Sequence, residues 1–423
     1  MLNLSPLQQS IVADIQGICG RLGYRLYAVG GIVRDWLLGR GETPTDIDLV
    51  VVGETNCAIA VARELRRKYQ TRYVEHPKFQ TAELRWDAFT LDLTTARQEY
   101  YPSAGANPVV SASTLEHDLW RRDFTINALA VEILPQGQIS PVIDLFGGLG
   151  DLAEGVVRPV HANSFYEDPR RIFRAVRFAV RLGFSLPPAV RSEIAQLCHS
   201  GVHDRIGGSR LQGELHYILA EGDLLKVHTI CQELSELGAW RCVDPQFQPS
   251  SKLGAELRRL GKWRRWFGAI AQNHAPNYLA LCVLLYPAVA PTLGKLNLPP
   301  SSIDQIGRAK ALHRELAQLP HSASPSQICD RLEQEQLGTL LLAGAIQPHR
   351  WLWRYLSHWR HIPPLLSGKE LRSLGYPASK ELGELLKILH HATLDGQITD
   401  KQQAIALAND YWQTKLGKIV PSQ

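Results

Sequence analysis

The sequence predicts an α+β fold, with a head that contains a small mixed β-sheet and an all-helical remainder. Short β-rich runs alternate with helical segments over about residues 27–145. After about residue 165 the strand patterns stop, and helical segments follow one another to the end of the chain. The 423 residues are too many for one ordinary core, so we expect roughly two to four domains.

The head begins with a helix and continues with strands. Apolar residues recur at helical spacing from Leu7 to Ile18, which predicts a helix within residues 1–26. Ser5 fits the N-cap of this helix, with a proline at its first position. Four runs then predict strands, YAVGG, IDLVVVG, FTLDLTT and ALAVEIL, with a helix over residues 58–69 after the second run.

The remainder of the chain consists of helical segments separated by glycine and proline. Examples are PRRIFRAVRFAVRLGF, LQGELHYILAEG and GKELRSLGYPASKELGELLKILHHATLDG. Proline pairs after Leu298 and Ile362 mark breaks between helices.

Composition favours a globular protein of a reducing compartment. Hydrophobic residues make up 45% and charged residues 21%, which argues against wholesale disorder. The net charge of +5 is compatible with a polyanionic partner. Seven cysteines without CxxC spacing argue against a disulfide framework or a zinc ribbon, so we expect a cytoplasmic location. We find no signal-peptide pattern and no apolar run long enough for a membrane span.

A double glycine joins the first strand to the next helix, in YAVGGIVRDWLLG. Backbone amides at the start of a helix lack intrahelical partners and can hold phosphate oxygens. Arg34 follows Gly31 by about one turn and can reach the same phosphates with its forked donors. The alternative is a tight strand–helix turn with a solvated arginine.

Two aspartates open the second strand. Asp46 and Asp48 are two residues apart and therefore share one face of a strand. Two carboxylates at that distance repel each other unless a cation lies between them. Mg²⁺ takes oxygen ligands and bridges substrate phosphates, so we interpret the pair as metal ligands. The alternative is a pair of solvated aspartates at the end of a loop.

Asp92, in FTLDLTT, is the candidate for a third carboxylate of a two-metal site. Glu83 on the preceding strand competes for this role. In the alternative interpretation, Asp92 faces solvent.

The segment RRDFTINALA places two cations, an acid and an amide before an apolar run. Arg122 suits a triphosphate, and Asp123 and Asn127 can hydrogen-bond a ribose hydroxyl. The alternative is a helix start with Asp123 as its cap and Asn127 as a polar residue of the core.

The segment EDPRRIFRAVRFAVR predicts a helix with Asp168 as N-cap and Pro169 at the first position. Four of its arginines share one face: Arg171, Arg174, Arg177 and Arg181. They repel each other unless a polyanion or acids neutralise them. Asp168 and Arg171 can also offer an acceptor and a donor to a base. The alternative is a capped amphipathic helix with a solvated face.

Five segments in this order resemble the class II CCA-adding tRNA nucleotidyltransferase and bacterial poly(A) polymerase family of the polymerase-beta-like superfamily. They are GGIVRDWLLGR, TDIDLVVVG, RRDFTINALA, IDLFGGLGDL and EDPRRIFRAVRFAVRLGF. The resemblance covers about residues 27–185 and thins beyond residue 200.

The resemblance implies a role for each matching residue. Asp46 and Asp48 would hold the metals, and Asp123 would recognise the ribose. Asp168 and Arg171 would act as an amino-acid template that pairs with the base of CTP or ATP. The triphosphate site would include Gly31, Arg34, Arg122, Arg174 and Arg177. A flexible linking motif would comprise Asp144, Gly147, Gly148 and Asp151.

The same resemblance implies four domains. These are a catalytic head (1–160), a neck with nucleotide-selecting residues (161–225), a body (226–360) and a tail (361–423), with body and tail holding tRNA. Two basic aromatic stretches, RRLGKWRRW and HRWLWRY, can contact RNA through Arg264, Arg265 and Arg354. The alternative for each stretch is an amphipathic helix with tryptophan in the core.

The expected activity is therefore addition of 3′-terminal CCA nucleotides to tRNA from CTP and ATP, with Mg²⁺ and without a nucleic-acid template. CC-only addition, A-only addition and poly(A) synthesis share these motifs and remain alternatives. Residues 97–116 match the loop that the family uses to switch from C to A, and their length favours an enzyme able to add the terminal A. An alternative of another class is a non-catalytic RNA-binding protein.

Overall fold

The protein consists of two compact units. The computed structural model describes residues 2–40, 43–103, 107–201, 206–266, 276–320 and 322–416. The first unit comprises Met1–Gln248 with Gly294–Asn297, and the second comprises Pro249–Leu293 with Leu298–Gln423. Every strand of the described chain lies in the first unit. This confirms the α+β fold with an all-helical remainder, whereas the four domain boundaries stay a prediction.

The first helix, α1 (Pro6–Leu22), begins where the sequence predicts. The Ser5 hydroxyl accepts from the Gln8 amide at 3.3 Å, and the Gln8 side chain accepts from the Ser5 amide at 2.9 Å. This capping box satisfies two backbone donors that the helix itself leaves unpaired.

Seven strands form one mixed sheet in the order β3-β4-β5-β2-β1-β8-β9, and two form a separate hairpin, β6-β7. All neighbours in the sheet are antiparallel except β2 and β5, which are parallel. The strands are β1 (Arg25–Val29), β2 (Asp46–Val52), β3 (Arg72–His76), β4 (Thr81–Arg85), β5 (Thr90–Thr95), β6 (Arg97–Tyr100), β7 (Val109–Ala112), β8 (Leu129–Glu132) and β9 (Ile143–Asp144). The four predicted strands are β1, β2, β5 and β8.

Both faces of β2 are buried, which explains its unbroken apolar run. Ile47, Leu49 and Val51 belong to the main core of the first unit. Val50 packs in a second cluster on the opposite face of the sheet. Asp48 is on the same face as Val50, because alternate residues of a strand point to the same side.

Nine further helices of the first unit follow in sequence among the described residues. They are α2 (Gly31–Leu37), α3 (Cys57–Lys68), α4 (Leu115–Trp120), α5 (Gly148–Glu154), α6 (Ser164–Glu167), α7 (Arg170–Leu182), α8 (Pro188–Ser200), α9 (Gly208–Leu219) and α10 (Leu224–Glu236). The helix predicted over residues 58–69 is α3. Both α9 and α10 pack against α7.

The later helices complete the chain. They are α11 (Leu253–Trp266), α12 (Pro276–Leu285), α13 (Ala290–Lys295), α14 (Pro300–Gln318), α15 (Pro325–Leu332), α16 (Leu337–Ile346), α17 (Arg350–Ser357), α18 (Gly368–Ser373), α19 (Lys380–Leu394) and α20 (Lys401–Leu416). α18, α19 and α20 enclose their own apolar core around Leu371, Leu385 and Trp412.

All seven cysteines are buried, and none of them forms a disulfide. Within the described ranges, no helix is both long and apolar enough to cross a bilayer.

Candidate active site

Three carboxylates form a row across neighbouring strands, which we call the carboxylate row: Asp48, Asp92 and Glu83. Asp48 on β2 is opposite Asp92 on β5, and Glu83 on β4 is opposite the same Asp92. Opposed residues of paired strands lie on one face, with the strands about 4.8 Å apart. Asp46 shares this face at the exposed start of β2. The structure thus brings Asp46, Asp48 and Asp92 together.

The members of the row differ in how well their charges are balanced. Glu83 is paired with Arg85 at 2.5 Å. Burial, with added repulsion from Asp48 and Glu83, raises the pKa of Asp92 to about 7. Burial also raises the pKa of Asp48, against the opposing charge of Arg122. Because Asp92 lacks such a pairing within the described chain, it fits the role of third carboxylate better than Glu83 does.

A cavity of about 310 Å³ opens at Asp48 and Asp92, lined also by Thr81, Arg97, Arg121 and Arg122. Among the described residues, no group of three or more His, Cys, Asp or Glu side chains can hold a metal ion by itself. Mg²⁺ is commonly held by one or two carboxylates together with substrate phosphates. The donor set of Asp46 and Asp48 fits that mode, in which the nucleotide supplies the remaining oxygens.

The double glycine lies against this cavity. Gly30 has a φ of 73°, and a Cβ at this position would lie 2.9 Å from Nη1 of Arg122 and 3.8 Å from Oδ2 of Asp48. Glycine allows both the positive φ and this close approach. The first amides of α2 therefore begin beside Arg122 and Asp48. Phosphate binding by Gly31 stays a prediction.

Arg34 is buried, so the alternative of a solvated arginine is wrong. Its side chain is only 4% exposed. Its Nη1 donates to Oδ1 of Asn127 at 2.5 Å, and its Nε and Nη2 each donate to Asp35 at 2.9 Å. Contact of Arg34 with a triphosphate stays a prediction. It requires the guanidinium to share its donors between the phosphate oxygens and its present acceptors, Asp35 and Asn127.

A buried aspartate, Asp118 on α4, holds both arginines of the RRD segment. It accepts from Nη2 of Arg121 at 2.7 Å and from Nη2 of Arg122 at 3.1 Å. Burial raises the pKa of Asp118, but the charges of the two arginines outweigh this and lower it. Sequence analysis missed Asp118. An acid three and four residues before two arginines is the signal that could have found it.

Asp123 joins the head to α7. Its Oδ1 accepts from the Asn127 side chain at 3.0 Å, and its Oδ2 accepts from Nε of Arg174 at 2.8 Å. Burial raises the pKa of Asp123, but Arg174 and the hydrogen bonds outweigh it and lower the pKa to about 2. Phe124, and not Asp123, is the N-cap of the short 3-10 helix Thr125–Asn127, so the alternative of an Asp123 cap is wrong. Ribose recognition stays a prediction.

The prediction that Asp168 caps α7 is wrong, since Pro169 occupies the N-cap position and the helix starts at Arg170. Asp168 already ends the preceding helix α6 in an extended conformation. Its Oδ1 still accepts from the Arg170 amide at 3.2 Å.

Three of the four arginines on the polar face of α7 are held by acceptors of the protein, so the alternative of a solvated face is wrong for these three, whereas Arg181 is 44% exposed. We call Arg171, Arg174 and Arg177 the arginine face. Arg171 donates to the Ser164 hydroxyl at 2.5 Å and to the Arg121 carbonyl at 2.6 Å. Arg177 donates to Glu221 at 3.1 Å.

Sequence analysis missed two further members of this cluster, Arg170 and Glu214. Arg170 is paired with Asp168 at 2.6 Å. Glu214, on α9, is 4% exposed and lies 3.9 Å from Nη1 of Arg174. No local sequence pattern identified either residue as a member of the cluster. Glu214 joins it only because α9 packs against α7.

The loop predicted over residues 97–116 contains the β6–β7 hairpin, and its residues 104–106 lie outside the described chain. Glu99 on β6 accepts from Nη1 of Arg121 at 3.2 Å and from the Tyr101 hydroxyl at 2.8 Å. The hairpin therefore contacts Arg121, whose backbone carbonyl accepts a hydrogen bond from Arg171.

The predicted linking motif packs against the head. Asp144 accepts from the Gly148 amide at 2.9 Å. A Cβ on Gly148 would lie 2.3 Å from the Thr125 carbonyl oxygen, so this position requires glycine. Asp151 accepts from the Thr125 hydroxyl at 2.5 Å. Hinge motion here stays a prediction.

In the second unit, α11 and α17 carry the basic aromatic stretches. Arg265 and Arg354 are exposed, and Arg264 is half-buried. The tryptophans of the two stretches divide by exposure: Trp263 and Trp351 are buried, whereas Trp266 and Trp353 are 63% and 40% exposed. The alternative of core tryptophans thus holds for two of the four.

The family model for the poly(A) polymerase head domain matches residues 26–158. An A-adding tRNA nucleotidyltransferase of Geobacter sulfurreducens is 30% identical over 94% of this chain, which spans only 46% of that relative. A CC-adding tRNA nucleotidyltransferase of Synechocystis is 27% identical over 96% of this chain and 98% of its own length. A Thermotoga maritima CCA-adding enzyme solved with tRNA superposes with a TM-score of 0.74 at 26% identity, over 96% of both chains.

The head domain, the full-length relatives and the solved structure agree with the resemblance that five motifs carried. Such nucleotidyltransferases generally use a divalent metal. The chain matches the poly(A) polymerase head-domain model over residues 26–158 and is similar over nearly its whole length to A-adding, CC-adding and CCA-adding tRNA nucleotidyltransferases.

Proposed function

We propose that this protein adds nucleotides of the 3′-terminal CCA to tRNA from CTP and ATP, without a nucleic-acid template. The observation that carries the proposal is the pair Asp48 and Asp92, whose pKa values are raised by burial and by neighbouring carboxylates, beside Arg122 and the Gly30 turn. A site with poorly balanced negative charge next to phosphate-binding groups suits a metal-bound triphosphate.

Asp46 and Asp48 are the proposed ligands of Mg²⁺, and Asp92 is the proposed third carboxylate. When bound, such ions activate the attacking 3′ hydroxyl and stabilise the leaving pyrophosphate. Arg122, which Asp118 holds at 3.1 Å, is placed to balance charge on the triphosphate. The chain thus supplies position and charge neutralisation more than covalent chemistry.

Nucleotide selection is proposed for Asp168 and Arg171, which carry an acceptor and donors in one buried cluster. Cytosine and adenine both present an exocyclic amino group, from which a carboxylate can accept a hydrogen bond. Asp123 and Asn127 are the proposed ribose contacts.

The second unit is the proposed tRNA-binding part, with Arg264, Arg265 and Arg354 at phosphates. The division into head 1–160, neck 161–225, body 226–360 and tail 361–423 belongs to the same proposal. We propose a cytoplasmic location, which seven buried cysteines outside any disulfide support.

Incorporation of labelled nucleotide tests the activity. Purified protein, Mg²⁺ and CTP, ATP or both are mixed with tRNA that ends at the discriminator base, in C or in CC. Growth of the first substrate by three residues is the expected result. Growth of the first substrate by two residues only, or growth of the CC-ended substrate by one A only, would indicate that two enzymes share CCA addition. The names of the A-adding and CC-adding relatives illustrate such a division. Long A tails would indicate a poly(A) polymerase.

Variants identify the site in the same assay. Asp46→Ala and Asp48→Ala should each reduce incorporation by about three orders of magnitude, since a metal stabilises the transition state by several kcal/mol. Binding of tRNA should survive. Asp87→Ala, at an exposed acid in the turn between β4 and β5, is the matched control and should incorporate normally. Normal incorporation by the Asp48 variant would overturn the assignment, and no incorporation by the unaltered protein would favour a non-catalytic RNA-binding role.

A further inference from the structure

Arg170 occupies the acceptor atoms of Asp168. Its Nε donates to Oδ1 at 2.8 Å and to Oδ2 at 3.1 Å, and its Nη2 donates to Oδ2 at 2.6 Å. Asp168 is 6% exposed, whereas the Arg170 side chain is 30% exposed. A forked, charge-assisted pair of this kind is among the stronger hydrogen-bonded arrangements in proteins. Any base that donates to Asp168 must therefore displace Arg170.

A second buried carboxylate, Glu214, interacts electrostatically with Arg170. Glu214 on α9 is 4% exposed, and within the described chain its Oε2 has no hydrogen-bond partner. A buried carboxylate oxygen without a partner is costly. Burial lowers the pKa of Arg170, but the hydrogen bond to Asp168 and the charges of Asp168 and Glu214 outweigh it. Arg170 thus already interacts electrostatically with Glu214.

We propose that Arg170 is a positioning residue that competes with the base: it leaves Asp168 for Glu214 when a base binds, and it returns when the base departs. The inference rests on the proposed function, because it takes Asp168 to be the base-reading carboxylate. The exchange keeps the buried carboxylate of Asp168 hydrogen-bonded at all times, first by Arg170 and then by the base. It also weakens nucleotide binding, since apparent affinity falls with the fraction of molecules in which Asp168 is accessible.

The test combines substitution with steady-state kinetics and equilibrium binding of CTP and ATP. Arg170→Met deletes the guanidinium and keeps the aliphatic stem. We expect it to lower KM and the dissociation constant about three- to tenfold, with kcat changed less than about twofold. Arg170→Lys keeps the charge but loses the forked geometry, so it should have an effect in the same direction, but smaller. Arg181→Met, at a 44% exposed arginine of the same helix, should leave KM unchanged.

A double-mutant cycle isolates the exchange. Glu214→Gln should raise KM about two- to fivefold in the unaltered protein and have no effect in the Arg170→Met background. Equal effects of Glu214→Gln in both backgrounds, or an unchanged or raised KM in Arg170→Met, would overturn the proposal. Failure of the unaltered protein to bind any nucleotide would instead overturn the proposed function, so the two failures are distinguishable.

Discussion

The carboxylate row of the sheet and the arginine face of α7 both gather charges of one sign, and they balance them differently. Each arginine of the face rests on an acceptor of the protein: Arg174 on Asp123, Arg177 on Glu221 and Arg171 on Ser164 and a carbonyl. Asp48 and Asp92 in the row are opposed by other acids, and the pKa of Asp92 is raised to about 7.

The difference separates two kinds of site. Like charges that the protein balances form an ordered scaffold, and a ligand there must compete with internal partners. Like charges that it leaves poorly balanced indicate that an ion from outside completes the site. Removing a charge should therefore destabilise the arginine face and stabilise the carboxylate row.

The largest expected change in the free energy of unfolding follows removal of a charge from the arginine face. Arg174→Met leaves the buried Asp123 without its ion pair, so we expect the free energy of unfolding to fall by about 2 kcal/mol, less than for a fully buried pair because Arg174 is 31% exposed. Arg181→Met, at a more exposed arginine, should cost under about 0.5 kcal/mol. Urea denaturation measures both. An equal cost for the two would break the comparison.

The pH dependence of this pair has a defined sign. The pKa of Asp123 is depressed to about 2 in the folded protein. Its contribution is therefore complete above the unfolded pKa of about 4 and is lost as pH falls towards 2.

The carboxylate row should respond in the opposite direction. Without divalent cations, Asp92→Asn should raise the free energy of unfolding by about 1 kcal/mol at pH 8, after allowance for solvent screening. The folded pKa of Asp92 near 7 lies above its unfolded value of about 4. The unaltered protein therefore loses stability as pH rises between these two values. At pH 5 the gain should be smaller, and it should vanish only below the unfolded pKa of about 4, where Asp92 is protonated in both states. Asp87→Asn is the exposed control, and destabilisation by Asp92→Asn at pH 8 would contradict the expectation.

The smallest effect is expected at an exposed arginine of the second unit. Arg265 on α11 is exposed, and its proposed partner is an RNA phosphate. Arg265→Ala should weaken tRNA binding about two- to fivefold at 0.1 M salt and reduce the salt dependence of binding by about one phosphate contact. Filter binding over a salt series measures this. Unchanged affinity and salt slope would remove Arg265 from the proposed surface.

Sequence alone predicted what depends on local pattern. The Ser5 N-cap of α1, the four apolar strands and the shared face of Asp46 and Asp48 each follow from spacing within one element. Ordered motifs then indicated the family. The partners of the arginines could not be predicted, because Glu214 and Glu221 reach α7 only through tertiary packing.

Two local errors have the same origin. Asp168 was expected to cap α7, but it ends α6 in an extended conformation, and Pro169 one residue later takes the N-cap position of α7. The tryptophans of α11 and α17 divide between core and surface according to neighbours that no periodicity reveals.

The parallel pairing of β2 with β5 has a consequence for how the protein reaches its native state. The strands β3 and β4 and the helix α3 intervene between them, so the pair closes a longer loop than the β4–β5 turn does. Contacts between distant parts of a chain form slowly during folding. We therefore expect Asp48 and Asp92 to meet only after the antiparallel strands β3, β4 and β5 have paired. A newly made chain would then form these local strands before it assembles the carboxylate row.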